Sequence, residues 1–96
     1  MRAVSNVHQG TRAEKRSISV LERDGYICTR SAGSRGIWDI IGVRRTDVVL
    51  VQVKTRRWPK SQELRRMREF QCPKGVRRLI HRWRTGVAEP DVKVVV

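Results

Sequence analysis

Residues 37–55 read IWDIIGVRRTDVVLVQVKT, and this stretch decides the fold. Two apolar runs, Ile37–Val43 and Val48–Thr55, flank the polar tetrapeptide RRTD, a pattern that predicts a β-hairpin closed by a tight turn. The side chains of a strand point alternately to its two faces. In the second run Gln52 and Lys54 therefore share a face with two apolar residues, and the intervening valines occupy the other face.

A helix is predicted upstream of the hairpin. Thr11 is suited to be its N-cap, Glu14 stands at the capping-box position, and Gly25 is suited to end the helix. Ile18 and Leu21 lie on the same helical face as Glu14, which is the face we expect to be buried. Glu14 is therefore either a capping residue or an acid on the face that packs against the sheet.

The rest of the chain completes a mixed sheet. The remaining predicted elements are strands at 26–30, 76–84 and 92–96 and a helix at 61–70 with Ser61 as its N-cap. The order α-β-β-β-α-β-β predicts an α/β (α+β) domain with a mixed central β-sheet flanked by helices. Residues 1–10 lack periodicity and are expected to form a flexible basic arm, which leaves 11–96 as a single domain.

The chain is strongly basic. Its 96 residues include 22 Lys and Arg against nine Asp and Glu, which gives a net charge of +13. Residues 52–84 hold 12 of these bases, and their acids are Glu63 and Glu69. Concentrated charge of one sign opposes folding unless a polyanion binds it, so nucleic acid is the predicted partner.

Other residue types argue against several protein classes. Aromatic residues make up 5% of the chain, too few for a platform that stacks single-stranded bases. Cys28 and Cys72 form no CxxC pair and the histidines are isolated, which disfavours zinc fingers, disulfide frameworks and histidine-based nucleases. No apolar stretch approaches the ~20 residues of a membrane span, so we expect a cytoplasmic location, or the host cytoplasm for a viral protein.

The hairpin also brings polar residues together. Strand alternation predicts that Asp39 shares a face with Ile37 and Ile41, where a carboxylate is unfavourable unless a cation or a hydrogen-bond donor compensates it. Asp39 and Gln52 lie at comparable distances from the turn, so they are expected to meet next to Lys54. Oxygen ligands and a lysine suit phosphodiester hydrolysis, in which Mg²⁺ activates water and the lysine stabilises the transition state. Glu14 is a candidate for a further carboxylate.

Each of these residues also has a structural explanation. Asp39 is explained equally well by a turn or by a pair with an arginine, since buried acids are more often paired than bound to metal. Gln52 and Lys54 are explained by the fraying end of a strand. Ser34 lies in a glycine-containing loop, where serine is commonly a turn residue.

Taken together, the segments Gly25-Tyr26, Arg30–Ser34, Asp39 and Gln52–Lys54 resemble the core of the PD-(D/E)xK nucleases. Within that superfamily the sequence is most similar to archaeal-type Holliday junction resolvases and their phage relatives. The resemblance implies a restriction-endonuclease-like fold and assigns five roles. Glu14 would be the helical acid, Asp39 the central metal ligand, Gln52 the second ligand, Lys54 the catalytic lysine and Ser34 the loop serine beside the scissile phosphate.

The resemblance also implies cofactor and partners. It implies Mg²⁺ as the metal ion, with Mn²⁺ as a substitute, and no small-molecule cofactor. It also implies a homodimer that resolves four-way DNA junctions by paired nicks. Val92–Val96 or the Trp38 side of the central strand would form the dimer interface. Arg30 and Arg35 would contact the phosphates nearest the cut. The duplex arms would lie on Arg56, Arg57, Lys60, Arg65, Arg66 and Arg68.

One departure from the family pattern keeps other functions open. Gln52 stands where an acid is usual, so the site carries one negative charge fewer and a lower metal affinity is expected. A replication or repair nuclease, or a restriction-like enzyme, cutting branched or linear duplex is one alternative. A basic architectural DNA-binding or RNA-binding protein without catalytic activity is the other.

Overall fold

Five strands and two helices make up the fold. The computed structural model describes residues 2–31 and 36–96, with side chains from residue 10 onward. The elements are α1 (Arg2–Arg23), β1 (Ile27–Arg30), β2 (Ile40–Val43), β3 (Val48–Thr55), α2 (Ser61–Glu69), β4 (Val76–Trp83) and β5 (Asp91–Val94). The mixed sheet flanked by helices confirms the predicted α+β fold class. Within these described ranges, neither helix is long and apolar enough to cross a membrane.

The strands follow the chain order β1-β2-β3-β4-β5 across the sheet. All neighbours are antiparallel except β3 and β4, which are parallel and are connected through α2. The predicted hairpin joins β2 to β3, and its turn is closed by a hydrogen bond from the Arg44 amide to the Asp47 carbonyl at 3.0 Å.

A hydrophobic core lies on each face of the sheet. The α1 side contains Leu21, Tyr26, Ile40, Val49, Val51 and Leu79, and the α2 side contains Trp38, Leu50, Met67, Ile80 and Val95. The alternation predicted for β3 is confirmed, because Val49 and Val51 pack in one core and Leu50 in the other. Gly42 is required on the α1 side, where an added Cβ would lie 2.9 Å from Cγ2 of Val49.

The first helix differs from the prediction at its start and agrees at its end. It begins at Arg2, so residues 2–10, for which no regular structure was predicted, are helical, and Thr11 is not the N-cap. Glu14 therefore lies in the helix interior, where a capping role is excluded. Gly25 follows the helix with φ 94, the left-handed conformation that glycine adopts readily.

The predicted strand 37–43 is shorter than expected. It begins at Ile40 because the chain bends at Asp39. Trp38 packs on the α2 side and Ile40 on the α1 side, although strict alternation would give them one face. The prediction that Asp39 shares a strand face with its neighbouring isoleucines is therefore wrong. Trp38 is buried against Phe70, so it is not available as an interface.

A buried polar cluster joins α1 to β4. Ser17 Oγ lies 2.9 Å from Nδ1 of His81 and accepts a hydrogen bond from Nε1 of Trp83 at 2.8 Å. Burial lowers the pKa of His81 to about 4, so the imidazole is neutral at pH 7. His81 and Trp83 are therefore packing residues, and their contacts with Ser17 attach α1 to the sheet one turn from Glu14.

Candidate active site

The bend at Asp39 directs its carboxylate to the end of β3. Oδ2 of Asp39 accepts a hydrogen bond from the Val53 amide at 2.8 Å. The Asp39 backbone is held by Val51 and Ser31, through N–H to carbonyl hydrogen bonds of 2.9 Å and 2.8 Å. Burial raises the pKa of Asp39, an effect that the Val53 amide and the charge of Lys54 oppose. Asp39 is therefore a positioned carboxylate whose charged form is disfavoured by burial.

Glu14 adds a second carboxylate from α1. Its Oε1 lies 3.6 Å from Nε of Arg30, and both side chains are about three-quarters buried. Burial raises the pKa of Glu14, the negative charge of Asp39 raises it further, and Arg30 opposes both effects. Two neighbouring carboxylates that are both hard to ionise form an environment that a bound cation would stabilise.

Lys54 has a partner that the sequence analysis missed. Its Nζ donates a hydrogen bond to Oε2 of Glu63 on α2 at 2.7 Å. Oε1 of Glu63 accepts a hydrogen bond from the Lys60 amide at 3.2 Å, so the same carboxylate also caps α2. The hydrogen bond from Lys54 lowers the pKa of Glu63. The available signal was composition, because Glu63 is one of two acids in the basic segment 52–84.

The N-cap of α2 is Lys60, and Ser61 is its first helical residue. The predicted N-cap is therefore wrong by one position. Glu63 is thereby placed at the third helical position, where its carboxylate can reach back to the Lys60 amide. The N-terminal turn of α2 thus fixes the carboxylate that holds Lys54.

Gln52 has one amide atom engaged and one free. Its Nε2 donates to the Ile37 carbonyl at 3.0 Å, which leaves Oε1 as a buried acceptor with no hydrogen-bond partner among the described residues. An orphaned buried oxygen is unfavourable unless a ligand satisfies it. Within the described ranges, no three His, Cys, Asp or Glu side chains cluster as metal ligands. Carboxylate and amide oxygens are the hard ligands that Mg²⁺ prefers, so the donor chemistry of Glu14, Asp39 and Gln52 suits that ion.

Three of the predicted site residues, Glu14, Lys54 and Gln52, line two cavities, and Asp39 lines neither of them. The larger one, about 490 Å³, is lined by Glu14, Lys54 and Glu63 together with the exposed Arg56, Arg57 and Lys60. The smaller one, about 130 Å³, is lined by Gln52, Glu63 and Arg66 with the backbone of 36–37. The structure therefore brings Glu14 and Lys54 to one cavity, leaves Gln52 in the next, and has Glu63 line both.

The residues predicted to contact phosphate lie at several places in the fold. Arg56, Arg57 and Lys60 border the larger cavity, and Arg65, Arg66 and Arg68 lie exposed on α2. Arg65 pairs with Glu69 at 3.2 Å, and Arg30 pairs with Glu14. Ser34 and Arg35 lie outside the described residues.

The same fold occurs in a solved nuclease structure. The chain is similar to Hjc, a Holliday junction resolvase from the archaeal hyperthermophile Archaeoglobus fulgidus, with a TM-score of 0.73 and 19% sequence identity. The alignment covers 90% of this chain and 77% of that chain. No protein-family model matches the sequence, and no curated protein sequence matches it. The resemblance predicted from the sequence is thus confirmed at the level of the fold.

Proposed function

We propose that this protein is a Mg²⁺-dependent endonuclease that recognises four-way DNA junctions and resolves them by paired nicks. The observation that carries the proposal is the convergence at the end of β3. There, the Asp39 carboxylate is fixed on the Val53 amide, its charge acts on Glu14, and Lys54 borders the same basic cavity as Glu14. The likeness in fold to a Holliday junction resolvase supports the substrate.

The metal would be held by oxygens of Glu14, Asp39 and Gln52. When bound, Mg²⁺ would lower the pKa of a water molecule and neutralise charge on the phosphate. In the hydrolysis, water attacks phosphorus, the P–O bond to the departing sugar oxygen breaks, and that oxygen takes up a proton. Lys54 would stabilise the negative charge that builds on the phosphate, and Glu63 would hold the Lys54 ammonium in place.

A homodimer would match the two-fold symmetry of the junction. Val92, Val94 and Val96, on or after the edge strand β5, are 53%, 51% and 91% exposed, so they support an interface at this end of the chain. Because a charge at such an interface is unfavourable, Val94→Lys should convert a dimer to a monomer in sedimentation velocity, with Lys93→Glu as the control. A wild-type monomer at micromolar concentration would contradict the dimer.

The test is a nicking assay on a labelled four-way junction beside a linear duplex of the same sequence. Wild type and Lys54→Ala are compared with Mg²⁺, with Mn²⁺ and with chelator, and metal-free junction binding is measured for both. Symmetric nicks on the junction alone, dependent on Mg²⁺ and lost in Lys54→Ala without loss of binding, are expected. Nicking that persists in chelator would contradict the metal requirement.

Two other outcomes would identify the alternatives. Cleavage of both substrates would indicate a general replication or repair nuclease. Tight binding without cleavage would indicate a basic DNA-binding protein, an outcome that Gln52 favours because it leaves the ligand set one charge short. In that case, cleavage gained by Gln52→Glu would show that the site is complete apart from this residue.

A further inference from the structure

A second pocket beside the site cavity is lined by four arginines. Its volume is about 170 Å³, and Arg12 and Arg16 of α1, Arg56 after β3 and Arg84 after β4 line it. The remaining lining residues are Ala13, Thr55, Trp83, Thr85 and Gly86, so no acid lines it. Three of the lining residues, Ala13, Thr55 and Arg56, also line the cavity that contains Glu14 and Lys54. The two pockets are therefore adjacent.

Two of these arginines are held in place by the protein. The guanidinium of Arg16 lies 4.2 Å from the centre of the Trp83 ring and donates a hydrogen bond to the Val87 carbonyl. Arg84 is more exposed, and its Nε lies 3.0 Å from Oδ2 of Asp91. Arg16 in particular is pre-organised, which lowers the entropy lost when its guanidinium binds a ligand.

The other two arginines retain their charge uncompensated. Within the residues that the structure describes, the side chains of Arg12 and Arg56 make no ion pair and no hydrogen bond, and both are exposed. Arg56 also has φ 72, a left-handed conformation that is unfavourable for a residue with a Cβ. Its amide donates to the Trp83 carbonyl at 2.8 Å, so the end of β4 holds this conformation.

We propose that this arginine pocket binds a DNA backbone phosphate adjacent to the scissile one. Four arginines and no acid line the pocket, and although Arg84 pairs with Asp91, Arg12 and Arg56 have no such partner among the described residues, so the lining favours a phosphate group, whose geometry guanidinium matches. The shared wall with the site cavity favours a phosphodiester of the same strand over a free anion. The proposal relies on the proposed function for its substrate, DNA, but not for cleavage.

The test measures metal-free junction binding by fluorescence anisotropy over a series of salt concentrations. Each lost phosphate contact should reduce the slope of log affinity against log salt by about 1. Arg12→Ala and Arg56→Ala should each show this reduction and bind roughly tenfold more weakly at fixed low salt. Arg45→Ala, which removes an exposed arginine at the hairpin turn, is the matched control and should leave the slope unchanged.

One further variant separates DNA binding from folding. Arg56→Gly removes the same side chain but suits φ 72, so it should raise the melting temperature while reducing the salt slope. A lower affinity caused by misfolding would instead come with a lower melting temperature. Slopes for Arg12→Ala and Arg56→Gly that equal that of Arg45→Ala would overturn the proposal.

Two further measurements identify the bound anion and distinguish failure of this proposal from failure of the proposed function. Inorganic phosphate at constant ionic strength should not displace the junction at millimolar concentration; displacement that disappears in Arg12→Ala would mean a free-phosphate site and contradict the proposal. The same variants are assayed for nicking with Mg²⁺. If the variants reduce the salt slope but the wild type does not cleave, the proposed nuclease activity is rejected and the phosphate pocket is supported. If the wild type cleaves but the variants leave the slope unchanged, the phosphate pocket is rejected and the nuclease activity is supported.

Discussion

Asp39 and Asp47 lie at opposite ends of the β2–β3 hairpin, and their carboxylates have opposite surroundings. Asp47 accepts hydrogen bonds from Tyr26 and Arg44 and also from Thr46, and lies 3.4 Å from Nε of Arg77. The Tyr26 hydroxyl is the largest of the effects that lower the pKa of Asp47 to about 2. Asp39 accepts one amide hydrogen bond, and burial raises its pKa.

The difference separates a structural acid from a candidate catalytic one. At the turn, every acceptor of Asp47 is used by the protein, so its charge stabilises the fold. At the other end, the Asp39 carboxylate accepts one amide hydrogen bond, and the Gln52 amide oxygen has no hydrogen-bond partner among the described residues. The proposed cation site would use these oxygens, and leaving polar groups incompletely satisfied in the free protein reduces its stability.

The largest expected effect on nicking is that of Asp39→Asn. Nicking should fall by a factor of about 10³, because a metal ligand in the charged form is lost. Since the folded protein disfavours the Asp39 charge, the variant should also unfold at a higher temperature than wild type at pH 7. The two measurements are initial nicking rate and calorimetric melting temperature. A variant that loses both activity and stability would contradict the assignment of Asp39 as an unsatisfied acid.

Asp47→Asn should have the opposite effect. Because Arg44 and Arg77 lose their carboxylate, the free energy of unfolding in urea should fall by about 2 kcal/mol, with nicking unchanged while the protein is folded. The pKa of Asp47 is lowered from 3.8 to about 2, so its stabilisation is present above pH 3.8 and is lost as the pH falls toward 2. The difference in free energy of unfolding between Asp47→Asn and wild type should therefore disappear as the pH falls over that range.

The control for this experiment is Asp24→Asn, which removes an exposed acid beyond the end of α1. It should leave the free energy of unfolding within about 0.5 kcal/mol of wild type. A deficit of Asp47→Asn that persists unchanged at pH 2 would mean that packing, and not the charge, stabilises the turn.

Gln52→Glu tests whether the end of β3 lacks one charge. The added carboxylate should lower the Mg²⁺ concentration for half-maximal nicking about tenfold, because Mg²⁺ affinity rises with ligand charge. Without metal, the variant should be less stable than wild type, since a further acid joins two that burial already disfavours. Gln62→Glu, on the exposed side of α2, adds the same charge and should change neither property. If wild type and Gln52→Glu need the same Mg²⁺ concentration for half-maximal nicking, Gln52 is not a metal ligand.

The smallest expected effect concerns Glu63, which holds Lys54. Both side chains are about one-third exposed, so the ion pair is weakly stabilising, and Glu63→Gln should slow nicking roughly fivefold. Glutamine retains an acceptor for the Lys60 amide, so α2 should remain capped. Glu69→Gln, which breaks the exposed pair with Arg65 on the same helix, is the control. Any residual nicking in Lys54→Ala should be unchanged by adding Glu63→Gln; a further loss of this residual rate would mean that Glu63 acts independently of Lys54.

Much of the fold follows from local patterns in the sequence. Alternating apolar residues defined β3 from Val48 to Thr55, the RRTD turn defined the hairpin, and Gly25 ended α1, because each depends on neighbours a few residues away. The choice of Glu14, Asp39, Gln52 and Lys54 came from the same hairpin and from the family resemblance, and their catalytic roles stay predictions.

Tertiary structure decided what the residues meet. The bend that carries Asp39 to the Val53 amide, the pairing of Lys54 with Glu63, and the arginines that converge from α1, β3 and β4 all join residues from separate segments. No local periodicity encodes these contacts, because they depend on how the helices pack across the sheet. The sequence determined the strands and the acids; packing determined which of the described charged groups pair with one another.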